Sequence, residues 1–186
     1  YAESDAMMEF KYAIHKAMTA GIPRIQEILD EVSALTGRDN SGLIEAYRID
    51  GAEIILVALG SVTGTVKDAV DELRDAGKKV GLLKIRCYRP FPHEVIWQAV
   101  KGAKVIAVMD ASFSMGSEGS IGLDLTAKLY GRPQAPMVVD FGAGLGGREI
   151  TPHTIHRLVA RAEEIPRSGQ VLPESEWVGL DPTIVS

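Results

Sequence analysis

Residues 52–59 read AEIILVAL, residues 60–65 read GSVTGT and residues 66–77 read VKDAVDELRDAG. Seven of the first eight residues are apolar without alternation, the pattern of a strand buried on both faces. Val66, Ala69, Val70 and Leu73 then fall at helical spacing, opened by Thr65 with Asp68 three residues on and closed by Gly77. Strand, glycine turn and helix make the first half of a βαβ unit. KVGLLKIR (residues 79–86) supplies the second strand, and such crossovers are nearly always parallel and right-handed.

The same order repeats downstream. Two prolines in CYRPFP (residues 87–92) stop any helix, and His93 to Val100 is a short helix with Val95, Ile96 and Val100 inward. Lys104 to Met109 is a third buried strand ending on Asp110, followed by the small-residue loop ASFSMGSEG (111–119) and a helix over about 120–130. Met137 to Phe141 is a fourth strand, GAGLGGR (142–148) a glycine loop, and Thr151-Pro152 opens a helix to about Glu164. Alternating strands and helices predict an α/β fold of three layers, a mostly parallel sheet with helices on both faces. Ligands and partners of such sheets meet the loops at the strands' carboxyl ends.

Upstream, residues 4–20 and 23–35 read as two helices, the first closed by Gly21, the second carrying Ile25, Ile28, Leu29 and Val32 on one face. Met7, Met8, Phe10, Tyr12, Ile14 and Met18 are too apolar for a solvated helix, so this lead-in looks made to pack on something. The expected organisation is a helical docking arm over 1–42, an α/β domain over 43–165 and an irregular tail over 166–186, packing through Trp177 and Val178. Tyr1, with neither initiator Met nor leader pattern, reads as the start of a processed chain or a fragment.

Composition narrows the function classes. A net charge of −5 argues against a general nucleic-acid binder, and no apolar run approaches the roughly 20 residues of a membrane span. A single cysteine, Cys87, leaves neither an internal disulfide nor a cysteine-built cluster, fits a cytoplasmic protein and reads as structural.

Several motifs point to chemistry less strongly than they first suggest. Residues 142–147 match G-x-G-x-x-G after a strand, but the helix starts only at Thr151 and no later strand brings a ribose-binding acid. Gly60, Ser61, Gly64 and Thr65 precede or open a helix, where free amides favour an anion, yet the spacing is not that of a P-loop. Asp110, Ser112, Ser114, Ser117 and Glu118, with His93, gather polar groups without a nucleophile elbow. His153 and His156 at i, i+3 suit a solvated face better than a metal site. Arg86, Arg89 and Arg148 suit ion pairs.

Gly60-Ser61 with Gly64-Thr65-Val66, VGLLKIR (80–86), RPFP (89–92), Val108-Met109-Asp110 and the GLGGR of residues 144–148 together resemble the alpha subunit of pyruvate:ferredoxin oxidoreductase (pyruvate synthase). The resemblance runs over nearly the whole chain and falls on that subunit's second domain, which is similar in fold to the transketolase C-terminal domain. It implies a parent enzyme that decarboxylates a 2-oxoacid on thiamine diphosphate with Mg, passes electrons through iron-sulfur clusters to ferredoxin and hands the acyl group to coenzyme A. It places those cofactors on other domains and subunits, assigns no catalytic residue here, and implies a chain inactive alone. What it implies for this chain is assembly, with homodimer contacts among them, through strand-end loops carrying Gly60, Ser61, Gly64, Asp110, Gly144, Gly146 and Arg148. The equivalent domain of a 2-oxoglutarate or branched-chain 2-oxoacid enzyme is one alternative; a module binding a phosphate ligand by itself is another.

Overall fold

A computed structural model describes residues 4–168 and 175–185. The helices are α1 (Met7–Ala20), α2 (Ile22–Thr36), α3 (Thr63–Asp75), α4 (His93–Val100), α5 (Ser120–Leu129) and α6 (Pro152–Ser168). The strands are β1 (Ile44–Tyr47), β2 (Ile54–Ala58), β3 (Val80–Ile85), β4 (Val105–Asp110), β5 (Met137–Gly142) and β6 (Glu176–Trp177). They form one sheet in the order β1-β3-β2-β4-β5-β6, parallel throughout except for β1, which pairs antiparallel with β3.

The run that begins at Ala52 is the centre of this sheet. All of β2 is buried, because β3 and β4 flank it and helices cover both faces. On one face α3 and α6 pack Val66, Val70, Ile155 and Leu158 against Leu56, Leu82 and Phe141. On the other, α4 and α5 bring Ile96, Val100 and Leu125 onto Ile55, Val57 and Ile106. The chain leaves β2 toward β3 on one side and returns past it to β4 on the other, so α3 and α4 must take opposite faces to keep one crossover hand. At β3, Gly81 lets the connection after β1 come close: a Cβ there would lie 2.7 Å from the Arg48 carbonyl oxygen. Glu45 of β1 accepts from Lys67 and Arg86, and these cations outweigh burial to hold its carboxyl below the usual range, tying the antiparallel edge to α3.

Several boundaries differ from the pattern-based expectation, each for a local reason. Helix α3 starts at Thr63, not Thr65: Gly60, at φ 72°, turns the chain into a 3-10 turn over Gly60–Val62, and the Thr63 hydroxyl donates to the Gly60 carbonyl at 2.7 Å. Gly64 and Thr65 therefore sit in the first helical turn, and no side-chain cap forms there. Gly21 closes α1 as expected but with right-handed helical angles, so α2 follows at once from Ile22, with Pro23 tolerated at its start. Val95 points outward, 44% exposed. Helix α6 continues past Glu164 to Ser168, through Pro166. The tail is not wholly irregular, since Glu176–Trp177 add a strand to β5. Trp177 does pack, its ring 4.8 Å from that of Phe113, and Val178 lies against the core. The remainder of the expected tail, 169–174 and 186, lies outside the described residues, as do residues 1–3.

The lead-in helices meet the α/β body at a shallow hollow, where Ile14 and Met18 of α1 and Ile25 of α2 lie beside Arg89 and Pro90. Neither α1 nor α2 contains a buried residue, and Met8 (82%), Tyr12 (62%) and Leu35 (86%) are largely exposed. A 14-residue helix that buries none of its residues is marginal in water, so this arm calls for a covering surface.

Candidate functional site

Although β2 and β4 run parallel, the connection after β2 goes to β3 on one side and that after β4 to β5 on the other, so the loops after the two strands diverge. Parallel α/β sheets open their ligand crevice at this place. A cavity of about 780 Å³ lies there, lined from β2 by Gly60 and Ser61, from β4 by Asp110 and Ser112, and from β5 by Gly144 and Arg148. Of the expected strand-end residues, only Gly64 and Gly146 are not on this wall. Gly146 lines a neighbouring surface hollow, which also includes Arg148.

Each wall has a distinct chemistry. The 3-10 turn after β2 and the start of α3 lack a side-chain acceptor for their first amides. After β5, Gly144, Gly146 and Gly147 take φ of 78°, 64° and 80°, which only glycine adopts easily, and a Cβ on Gly144 would meet the Ile150 side chain at 2.9 Å. Arg148 extends from this loop, exposed; its amide donates to the Leu145 carbonyl at 3.2 Å, its charge helps hold Asp181 below the usual carboxylate range, and its guanidinium makes no hydrogen bond or close ion pair among the described residues. The wall suits a carboxylate, a phosphate or an acidic side chain of a neighbouring domain.

Asp110 is not available to a ligand. It is 1% exposed; its Oδ1 accepts from the Ser112 amide and its Oδ2 from the Ile121 amide, each at 2.7 Å. It holds the loop after β4 and the first turn of α5, satisfying amides that an uncapped helix start leaves unpaired. Buried at 1% exposure and turned onto two backbone amides, it presents no open face to a magnesium ion and does not fit as a ligand for thiamine diphosphate's metal. Among the described residues no group of three carboxylate, histidine or cysteine side chains could hold a metal ion.

Asp140 went unnoticed in the sequence, lying inside an apolar strand pattern. Its Oδ2 accepts from the Gly119 amide at 2.8 Å and meets the Ser175 hydroxyl at 3.1 Å, while its buried Oδ1 has no partner among the described residues. Gly119 and Gly122 give it room: a Cβ on either would lie within 2.6 Å of this carboxylate. Burial, reinforced by the charges of Asp110 and Glu118, pushes Asp140 up to about 6 against the Gly119 hydrogen bond.

The other chemical candidates are dispersed. His93 starts α4 beside the Phe91 carbonyl, off the cavity wall. Ser114 and Ser117 share a backbone turn. His156 faces Glu72 of α3 at 3.0 Å while His153 is exposed, so the two do not converge. Arg86 pairs with Glu45 and Arg89 with Asp124, as their ion-pair reading predicts. The Cys87 thiol donates to the Arg89 carbonyl at 3.4 Å. No helix among the described residues is long and apolar enough to cross a membrane.

Comparison with known proteins gives this geometry a context. The model of the family described as pyruvate:ferredoxin oxidoreductase core domain II matches residues 52–155. Pyruvate synthase subunit PorA of Methanothermobacter thermautotrophicus is 42% identical over 97% of the chain, and that of Methanosarcina barkeri 37% identical over 97%. Ketoisovalerate oxidoreductase subunit VorA of Pyrococcus horikoshii is 37% identical over 92%. The chain spans only 44 to 45% of the length of these relatives. Among solved structures, a 2-oxoglutarate:ferredoxin oxidoreductase from Magnetococcus marinus, with 2-oxoglutarate, coenzyme A and succinyl-CoA bound, aligns at TM-score 0.50 and 22% identity. The alignment covers 70% of this chain and 21% of that one, and bears on the fold.

Proposed function

The chain belongs to the pyruvate:ferredoxin oxidoreductase core domain II family, and we propose that it is the assembly domain of a thiamine-diphosphate-dependent 2-oxoacid:ferredoxin oxidoreductase. The parent enzyme would convert pyruvate to acetyl-CoA with reduction of ferredoxin, or run the reverse reaction. In this reading thiamine diphosphate, iron-sulfur clusters and coenzyme A are held by other parts of the enzyme. The domain holds those parts in register: its strand-end wall meets a neighbouring domain or subunit, and the lead-in arm is covered by another.

The observation that carries this reading is α1. Met7, Phe10, Ile14 and Met18 follow one another at helical spacing and are 42 to 57% exposed, with Met8 and Tyr12 exposed beside them. An apolar face of this kind on a helix that buries none of its residues is the mark of an interaction surface. In the full-length oxidoreductase, Phe10→Asp combined with Ile14→Asp is expected to weaken assembly by roughly 30-fold or more, the scale of a lost interface anchor. Sizing by light scattering should show dissociation, pyruvate-dependent ferredoxin reduction should fall with it, and the melting of the α/β body should not change. Unaltered assembly and turnover would remove the arm from the interface.

The VorA relatives favour a second substrate reading, the same domain in a branched-chain 2-oxoacid enzyme. Comparing turnover of pyruvate, ketoisovalerate and 2-oxoglutarate by the assembled protein separates the readings.

A further inference from the structure

Three carboxylates converge where the C-terminal strap crosses the sheet edge. Asp110 ends β4, Asp140 lies on β5, and Glu118 closes the loop before α5. The strap enters at Ser175, whose amide donates to Glu118 Oε2 at 3.1 Å and whose hydroxyl touches both Glu118 Oε2 and, at 3.1 Å, Asp140 Oδ2. It then pairs Glu176 and Trp177 with β5, and Val178 donates to the Gly142 carbonyl at 2.9 Å.

The hydrogens here are one short. A serine hydroxyl carries a single hydrogen and ionised carboxylates carry none, so Ser175 can donate to Glu118 or to Asp140 but not to both. With both acids ionised, one of these contacts sets oxygen against oxygen. A proton on Asp140 supplies the missing hydrogen and orders the donors into one chain: the Gly119 amide to Asp140 Oδ2, the Asp140 hydroxyl to Ser175 Oγ, the Ser175 hydroxyl to Glu118. Such chains strengthen cooperatively away from water.

We propose that Asp140 is a proton-operated latch for the C-terminal strap: protonated, it pins Ser175 and β6 to the loop over residues 111–119, and ionised, it lets the strap loosen. Among the described residues, the charged groups facing it are Asp110 from β4 and Glu118 from the loop, both acidic. Helix α5 presents Gly122, Leu123 and Thr126, and the strap presents Ser175. Arg161 of α6 is engaged with Glu176 and Glu164, one residue further along the strap. Among the described residues no facing cation offsets the repulsion once Asp140 ionises. The raised affinity of this carboxyl for a proton fits the geometry, and burial is its first cause. Through Trp177, whose ring packs at a 45° tilt against Phe113 of the same loop, the latch acts on the segment whose Ala111 and Ser112 line the strand-end cavity.

The direction of the effect follows from linkage. The closed strap holds the proton up to about pH 6, whereas an opened Asp140 returns toward its ordinary value of 3.8. Opening therefore becomes easier as pH rises between those limits, by at most roughly tenfold per pH unit, and levels off above pH 6.

The test is amide hydrogen exchange on the full-length protein, expressed as protection factors so that the intrinsic pH dependence cancels. Protection of the Val178 amide is expected to fall about tenfold or more between pH 4 and 6.5, while that of Ile106 in central β4 stays level. In Asp140→Asn, whose amide donates to Ser175 at every pH, Val178 protection should not vary. In Ser175→Ala, which removes the bridge and leaves the fold, it should be low at both ends of the range. If the asparagine variant does not fold, the Ser175→Ala profile decides. An unvarying profile in the native protein, a fall that persists in either variant, or an equal fall at Ile106 would overturn the latch.

Discussion

Asp110→Ala is expected to destabilise the protein by about 3 kcal/mol. The carboxylate accepts two charge-assisted hydrogen bonds from backbone amides, each contributing roughly 1.5 to 3 kcal/mol in such settings. One amide, that of Ile121, lies buried in the first turn of α5 and would find no substitute, whereas that of Ser112 is near water. Relief of the repulsion from Asp140 offsets part of the loss. In a protein of this size the change lowers the melting temperature by roughly 6 to 12 °C. Equilibrium urea unfolding checks it, with Asp110→Asn falling between wild type and alanine because it keeps one acceptor. A loss below about 1 kcal/mol, accompanied by weakened assembly of the oxidoreductase, would make Asp110 a contact of the strand-end wall and not its support.

Phe141→Ala should cost as much or more, about 3 to 5 kcal/mol. Phe141 is 1% exposed and among the largest fully buried side chains, in the layer where α6 meets the sheet. Truncation removes apolar surface from that layer and leaves a void that Leu56, Ile155 and Leu158, themselves fixed in regular elements, can fill only in part. Phe141→Leu, which restores most of the volume, is expected to recover more than half. Urea midpoints at an unchanged slope are the measure. A loss under about 1.5 kcal/mol for the alanine variant would mean that α6 closes onto the sheet without it.

How far the sequence can be read depends on how local each signal is. The apolar runs at residues 54–58 and 105–110 announce central strands because burial on both faces removes alternation within a few residues. The Thr65 and Asp68 pattern misleads because the helix is anchored one turn earlier by Gly60, whose backbone turn overrides the capping preference. β6 has two residues and no period to detect; it exists because β5 offers an open edge. Asp110 is visible as a strand-end acid, but its amide partners lie two and eleven residues on, so a role in support reads like a role in binding. Asp140 is harder still, since its partners Gly119 and Ser175 are 21 and 35 residues away. The exposed face of α1 was legible from composition alone, because six large side chains there have no polar counterpart pattern.

Calorimetric titration of this chain with the polypeptide that makes up the remainder of the oxidoreductase, alongside injections of coenzyme A and of thiamine diphosphate with magnesium, asks whether the domain assembles or binds. Saturable heat is expected with the protein partner, abolished by Phe10→Asp with Ile14→Asp, and none with either small molecule. Micromolar binding of coenzyme A or thiamine diphosphate by the chain itself, lost on Gly144→Val and unaffected by the arm substitutions, would contradict the assembly role and make the strand-end cavity a ligand site in its own right.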